Sequence, residues 1–232
     1  SSDVCSSDLR RFREIFSMEE LKKWYQELLD AYHKWIAYSL SWKKERNASM
    51  TDLQFPFPYR EGQREIVSGV YHTVSSKKTL FVQAPTGVGK TMSAIFPSVR
   101  AIGEGKGETL FYLTAKTITG TVAWEAFHTL RENGLKFKVT AITAKEKLCF
   151  LDSPECTPEK CPYAKGHFDR VNDAVYELWT TEEVYSREVI RAHAEKWKVC
   201  PFEMCLDLSV WVDGVICDYN YAFDPNVHLK RF

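Results

Sequence analysis

Thr79-Leu80-Phe81-Val82-Gln83-Ala84-Pro85-Thr86-Gly87-Val88-Gly89-Lys90-Thr91 is the stretch that decides how this chain folds. Residues 79–83 have the apolar content of a buried strand, and the run that follows Lys90 predicts a helix to about Ile102. A glycine-rich turn joins them. Strand, turn and helix start in that order bring free backbone N–H groups and the positive end of a helix dipole to one point, where phosphate is held. Gly87 and Gly89 let the backbone curl around phosphate oxygens without a Cβ in the way. Lys90 would reach the β and γ phosphates of a nucleotide, and Thr91 would offer its hydroxyl to Mg²⁺. Ala84, Thr86 and Val88 complete the cradle, with Ala84 standing where the general pattern has glycine. The alternative is a surface loop that happens to spell Gly-Lys-Thr, and the flanking strand and helix argue against it.

Outward from this loop the pattern repeats. Thr109 to Leu113 reads as a second strand, Thr117 to Arg131 as a helix, Phe137 to Ile142 as a third strand after Asn133-Gly134, and Gly214 to Cys217 as a fourth. The alternation predicts an α/β fold, a parallel-sheet P-loop lobe occupying residues 55–144 and returning at 206–232. Residues 145–205 interrupt it with cysteines, prolines and two amphipathic helices, as an inserted, mainly helical subdomain would. Upstream, Phe55-Pro56-Phe57-Pro58 interrupts any helix, and a helical stretch opens at Tyr59 and runs to about Val74. Before that lies an N-terminal extension, residues 10–54. Ser17-Met18-Glu19-Glu20 is a capping-box pattern, and Leu21, Trp24, Leu28, Tyr32, Trp35 and Ile36 follow at three- and four-residue spacing. They predict one helix to about Arg46, on the order of 40 Å long.

Lys+Arg and Asp+Glu are both 31, so any nucleic-acid surface must be a local basic patch. Hydrophobic residues make up 44% of the chain, ample for one packed lobe with an insertion. No apolar run reaches the roughly 18 to 20 residues of a membrane helix, and no signal peptide opens the chain, which points to the cytoplasm. Residues 1–9, Ser-Ser-Asp-Val-Cys-Ser-Ser-Asp-Leu, read as a translated sequencing adapter and are set aside together with Cys5. The chain stops at Lys230-Arg231-Phe232 directly after a strand-like segment, and the expectation is that it is truncated there.

Four of the seven cysteines, Cys149, Cys156, Cys161 and Cys200, are separated by 6, 4 and 38 residues. In a reducing compartment such thiols are metal ligands or buried side chains before they are disulfides. None of the gaps is the two-residue knuckle usual in zinc ribbons. Four thiolates on wide loops suit a 4Fe-4S cluster, which would hold together an insertion with little core of its own. Zinc is the alternative metal, Cys205 is the alternative to Cys200 as fourth ligand, and four unconnected thiols remain a third reading. Cys217, in an apolar strand, reads as a plain buried thiol.

From Leu53 to Phe232 the sequence resembles the XPD and DinG family of superfamily 2 DNA helicases, particularly its bacterial branch. Phe57-Pro-Tyr-Arg-Glu-Gly-Gln63 looks like the opening of that family's first motor domain, Ala84 to Thr91 like its motif I, and Leu113-Thr-Ala-Lys-Thr117 like its motif Ia. Lys147-Leu-Cys149, Cys161-Pro-Tyr163 and Cys200-Pro-Phe-Glu203 resemble the surroundings of its cluster ligands, and Val215 to Pro225 the segment that returns to the sheet. The resemblance implies an ATP-dependent 5′-to-3′ DNA helicase with two RecA-like lobes and an iron-sulfur insertion in the first. It implies movement on single-stranded and forked DNA, a monomer, and adenine contacts from Glu61 and Gln63. The long first helix resembles the linker that joins an upstream nuclease-like domain in one bacterial subgroup. One departure matters: the family's Asp-Glu-Ala-His box is absent, and no Asp-Glu dipeptide occurs in the chain. Asp218 could be mistaken for that Mg²⁺-holding acid, but the family pattern places it one element earlier. The expectation is a motor fragment that binds ATP and turns it over slowly.

Other residues carry two readings each. Lys116 and Thr117 follow a strand end, where motors touch DNA phosphates, or form a solvated loop. Tyr219, Tyr221 and Phe223 could stack on unpaired bases, although alternation in a strand would pack them on one face of the sheet. Trp179, Trp197 and Trp211 have the spacing of core residues, and His167, Asp169 and Arg170 are assigned no chemistry. The rival function is a zinc-stapled nucleic-acid-binding module with the loop as a nucleotide switch; a P-loop kinase would need an acceptor-binding element that the sequence lacks.

Overall fold

The computed structural model describes residues 13–115, 117–152, 155–225 and 228–229, with backbone alone at 117–119. The expectations for residues 1–9, for Lys116 and the Thr117 side chain, and for Lys230-Arg231-Phe232 lie outside the described residues. The chain divides into two compact units, residues 1–41 and 42–232.

Helix α1 (Met18–Thr51) begins in the first unit, at the predicted capping box, and its residues from Trp42 on belong to the second. Ser17 Oγ accepts the Glu20 N–H at 3.2 Å, and the Glu20 carboxylate accepts the Ser17 N–H at 2.7 Å. Reciprocal bonds of this kind satisfy donors that the first helical turn leaves over. Leu21, Trp24, Leu28 and Tyr32 form the expected stripe, and all four are exposed. The helix outruns its expected end at Arg46 and stops at Thr51.

The second unit is built on a four-stranded parallel sheet: β1 (Leu110–Thr114), β2 (Val139–Ala141), β3 (Val184–Tyr185) and β4 (Gly214–Asp218), in the order β1-β4-β2-β3. An α/β architecture with an all-parallel sheet is compatible with a RecA-like lobe. Helices α2 (Gln63–Ser75), α3 (Lys90–Gly103) and α4 (Thr117–Glu132) belong to the expected lobe. Helices α5 (Lys145–Leu148), α6 (His167–Thr181), α7 (Arg187–Trp197) and α8 (Pro201–Leu208) begin within 145–205, where two were expected, and α9 (Asn220–Phe223) follows β4. The same stretch supplies β3, which pairs Val184 with Val139 and Tyr185 with Thr140. Ile95, Val99, Phe127, Leu130, Phe137 and Ile216 centre the apolar core, with Phe127 and Phe137 stacked at 5.5 Å.

Below this core lies a buried polar knot. Asp213 accepts from Arg46 Nη1 at 2.7 Å, from Trp42 Nε1 at 2.8 Å and from the Lys138 N–H at 2.8 Å. Burial pushes the Asp213 carboxyl up, and Arg46 pulls it back down. Lys138 sends its ammonium to the carbonyls of Trp179 (2.7 Å) and Glu182 and to the Tyr185 hydroxyl (3.1 Å).

Two expected strands are not strands. Residues 79–83 have no regular secondary structure and pair with no strand among the described residues, and Phe81 is 92% exposed. Apolar residues alone do not make a strand; ladder hydrogen bonds do. Leu80 instead reaches toward Gly69 of α2, where a Cβ would sit 3.6 Å from Leu80 Cδ2. The expected alternation of Tyr219, Tyr221 and Phe223 in a strand is also overturned. Asp218 Oδ1 accepts the Asn220 N–H at 2.9 Å, which turns the chain out of β4 and into α9, leaving Tyr219 and Phe223 exposed. Core packing on a sheet face is therefore not their role.

Candidate functional site

Gly87 and Gly89 both lie in the left-handed region, at φ 87 and 84, directly before the first turn of α3. Side-chain-bearing residues rarely adopt this geometry, so the bend depends on both glycines. Lys90 folds back over the bend, its ammonium donating to the carbonyls of Ala84 (3.0 Å) and Pro85 (2.8 Å). The charge is thereby held above the loop that leads into the helix N-terminus. Thr91 Oγ1 accepts from the Tyr112 hydroxyl of β1 at 3.3 Å, which ties the helix start to the sheet.

A second layer braces the loop. Arg60 Nη1 donates to the Gly87 carbonyl, and the Arg60 N–H donates to Gln63 Oε1 at 3.0 Å. Gln63 is 4% exposed, and its amide nitrogen faces Gly89. The structure places Gln63 beside the loop, with its side-chain amide against Gly89. Arg60 was not singled out from the sequence, although it sits inside the same opening segment as Glu61 and Gln63. Tyr112 carried no sequence signal at all. Asp218 borders a crevice with Thr114 and Tyr221, and none of residues 84–91 lines that crevice.

The four candidate metal ligands lie on loops and element ends within residues 145–205. Cys149 directly follows α5, Cys200 caps the start of α8, Cys161 is buried and Cys156 is exposed. Lys145 is held above the ordinary lysine value, first by a hydrogen bond to the Cys156 sulfur and, against the cost of burial, by attraction to Cys156 and Cys200. Burial raises the Cys200 thiol. Phe150 and Tyr163 bring the flanks of Cys149 and Cys161 together at 4.5 Å, and Arg191 donates to the Leu148 and Cys149 carbonyls at 2.6 and 2.8 Å. The Cys200 N–H donates to His167 Nδ1 at 3.2 Å. Even so, among the described residues no three His, Cys, Asp or Glu side chains gather closely enough to hold a metal ion.

Cys205 lies elsewhere. It is fully buried against the sheet, 3.8 Å from both Thr140 Oγ1 and the Ala141 carbonyl, and burial pushes its thiol up to about 11. Cys217 is buried too, its thiol likewise raised to about 11. No helix among the described residues is long and apolar enough to cross a membrane.

No family model matches the sequence. Among curated proteins, a stretch of 47 residues, 20% of this chain, is 40% identical to a probable ATP-dependent helicase of Methanocaldococcus jannaschii. Over 78% of the chain the sequence is 21% identical to the regulator of telomere elongation helicase 1 homolog of Caenorhabditis briggsae. The chain spans only 7% and 22% of these two relatives' own lengths. Distant homology to helicases, one of them ATP-dependent by name, is thus joined in this chain to a bend at Gly87 and Gly89 that leads into α3.

Proposed function

We propose that this chain forms part of the first motor lobe of an ATP-dependent DNA helicase of the XPD/DinG type, cytoplasmic and monomeric, working 5′-to-3′ on single-stranded and forked DNA. The observation that carries the reading is the bend at Gly87 and Gly89 under the Lys90 ammonium, at the N-terminus of a 14-residue helix. In it, the N–H groups of 86–90 would cradle the triphosphate of ATP, Lys90 would neutralise the β and γ phosphates, and Thr91 would bind Mg²⁺. Arg60 and Gln63 keep the loop in that shape. The chain contains no Asp-Glu pair to hold the metal and position water, so alone it binds ATP without steady DNA-stimulated turnover.

Residues 145–205 would form the iron-sulfur insertion, with Cys149, Cys156, Cys161 and Cys200 holding a 4Fe-4S cluster. The contacts of Lys145 with Cys156 and Cys200, of Phe150 with Tyr163, and of Arg191 with the Leu148 and Cys149 carbonyls support this donor set. Such a cluster supplies thiolate–iron bonds that cross-link loops with little apolar cover.

Titration of the anaerobically purified chain with a fluorescent ATP analogue tests the first part. Saturable, Mg²⁺-dependent binding that Lys90→Ala abolishes is the expected result, and binding indifferent to Lys90 overturns it. Iron and acid-labile sulfide assays test the second, where one zinc without iron would favour the zinc-stapled module.

A further inference from the structure

Two serines of α3 spend their hydroxyls on the helix itself. Ser93 Oγ donates to the Gly89 carbonyl at 3.0 Å and Ser98 Oγ to the Ala94 carbonyl at 2.8 Å, each four residues back. Such back-bonding is the usual anchor of a hydroxyl inside a helix, because the preceding turn presents its carbonyls there. Thr91 makes no such bond among the described residues. It is the second residue of α3, and four residues before it stands Gly87, inside the bend at φ 87 instead of in a helical turn. Arg60 already donates to the Gly87 carbonyl. The Thr91 hydroxyl is held from another element, by the Tyr112 hydroxyl at 3.3 Å.

Tyr112 can serve as a fixed point. It is the middle residue of β1, its backbone is paired with Ile216 of β4, and its half-buried ring packs against the apolar core. A ring packed in this way keeps one rotamer, so its hydroxyl stays in place. A threonine in a helix, by contrast, divides between two χ1 rotamers according to which partner its hydroxyl finds. One bond from the sheet removes that choice. A hydroxyl oxygen carries two lone pairs, and accepting from Tyr112 uses one of them. The other is left for a cation, so Thr91 fits the Mg²⁺ that the nucleotide reading asks it to hold.

We propose that Tyr112 is a positioning residue for the metal of the bound nucleotide, acting through Thr91 by aiming its hydroxyl. This rests on the reading of residues 84–91 as an ATP site and adds to that site a residue 21 positions away on the sheet. Hydrogen bonds that orient a metal ligand set metal affinity by about tenfold or more when they are removed. The effect of Tyr112 is therefore on Mg²⁺, and the hold of the loop on phosphate alone does not depend on it.

The test titrates the whole chain with a fluorescent ATP analogue at rising Mg²⁺ and, separately, in EDTA. In wild type Mg²⁺ should tighten binding, and Thr91→Val, nearly isosteric, should abolish that gain. Tyr112→Phe keeps the ring in the core and deletes only the hydroxyl. It should raise the half-saturating Mg²⁺ concentration about tenfold and leave binding in EDTA unchanged. Thr91→Ser restores a hydroxyl with freer rotamers, and should keep the Mg²⁺ response only while Tyr112 is present. An unaltered Mg²⁺ response in Tyr112→Phe overturns the proposal. So does a loss of affinity of equal size with and without Mg²⁺, which is what a purely structural contact would give. If binding by wild type ignores both Mg²⁺ and Thr91→Val, the ATP reading itself has failed; the wild-type and Thr91 titrations alone decide that, apart from any result at Tyr112.

Discussion

Gln63 stands so close to Gly89 that a Cβ on the glycine would lie 2.6 Å from the Gln63 amide nitrogen. Gly87, two residues earlier, has nothing within 4 Å of the same imagined carbon. Both need the left-handed backbone, so an alanine at either costs about 1–2 kcal/mol of strain, but only at Gly89 does it also collide. Nucleotide titration should therefore show Gly87→Ala weakened by about tenfold and Gly89→Ala weakened further. Adding Gln63→Ala to Gly89→Ala should recover part of the loss, and no recovery would mean that Gln63 does not set the loop.

Removing Arg46 leaves the Asp213 carboxylate buried without its main counter-charge. Both side chains are about 95% buried, at 6% and 4% exposure, and breaking such a pair on one side costs about 3–5 kcal/mol. Urea titration should show Arg46→Met lowering the unfolding free energy of the second unit by that amount, whereas Arg46→Met with Asp213→Leu should be less damaging than the single change.

Lys138 gives stability a slope against pH. Burial lowers its pKa from 10.5 to about 8, so between those values the unfolded chain binds more protons than the folded one. Stability contributed by this lysine therefore rises as pH goes from about 8 toward 10.5. Cys205 and Cys217 act in the opposite sense, since their raised thiols make stability fall between about 9 and 11. Denaturant midpoints measured from about pH 7.5 to about 9 should climb in wild type and flatten in Lys138→Met.

Cys205 and Cys200 can be told apart as metal ligands. Because Cys205 packs on Thr140 and Ala141 of the sheet, Cys205→Ser should leave iron content unchanged, while Cys200→Ser or Cys161→Ser should lower it and open residues 145–205 to protease. Iron loss in the Cys205 variant would reverse that assignment.

What the sequence disclosed, and what it hid, follows from the range of each interaction. The capping box at Ser17, the two glycines before Lys90 and the starts of α3 and α4 were legible because neighbours within four residues decide them. Strand status was not. Residues 79–83 and 219–223 both have strand-like composition, but pairing depends on partners far along the chain, and the first segment pairs with no strand among the described residues while Asp218 turns the other into a helix. β3 was missed for the converse reason: two residues, Val184 and Tyr185, are too few to show a period, yet they complete the sheet. The braces of the candidate site were half legible. Gln63 was found through resemblance, whereas Arg60 and Tyr112 act through contacts 27 and 21 residues distant that no local pattern announces.

The apolar run ahead of the glycine bend has one more effect on anyone handling this chain. With Leu80, Phe81 and Val82 exposed and no strand pairing it among the described residues, it is a template onto which another molecule's backbone can zip. Concentrated stocks should thus form cross-molecule sheets seeded beside the nucleotide loop, and a charged residue in place of Phe81 is the change that keeps the preparation dispersed.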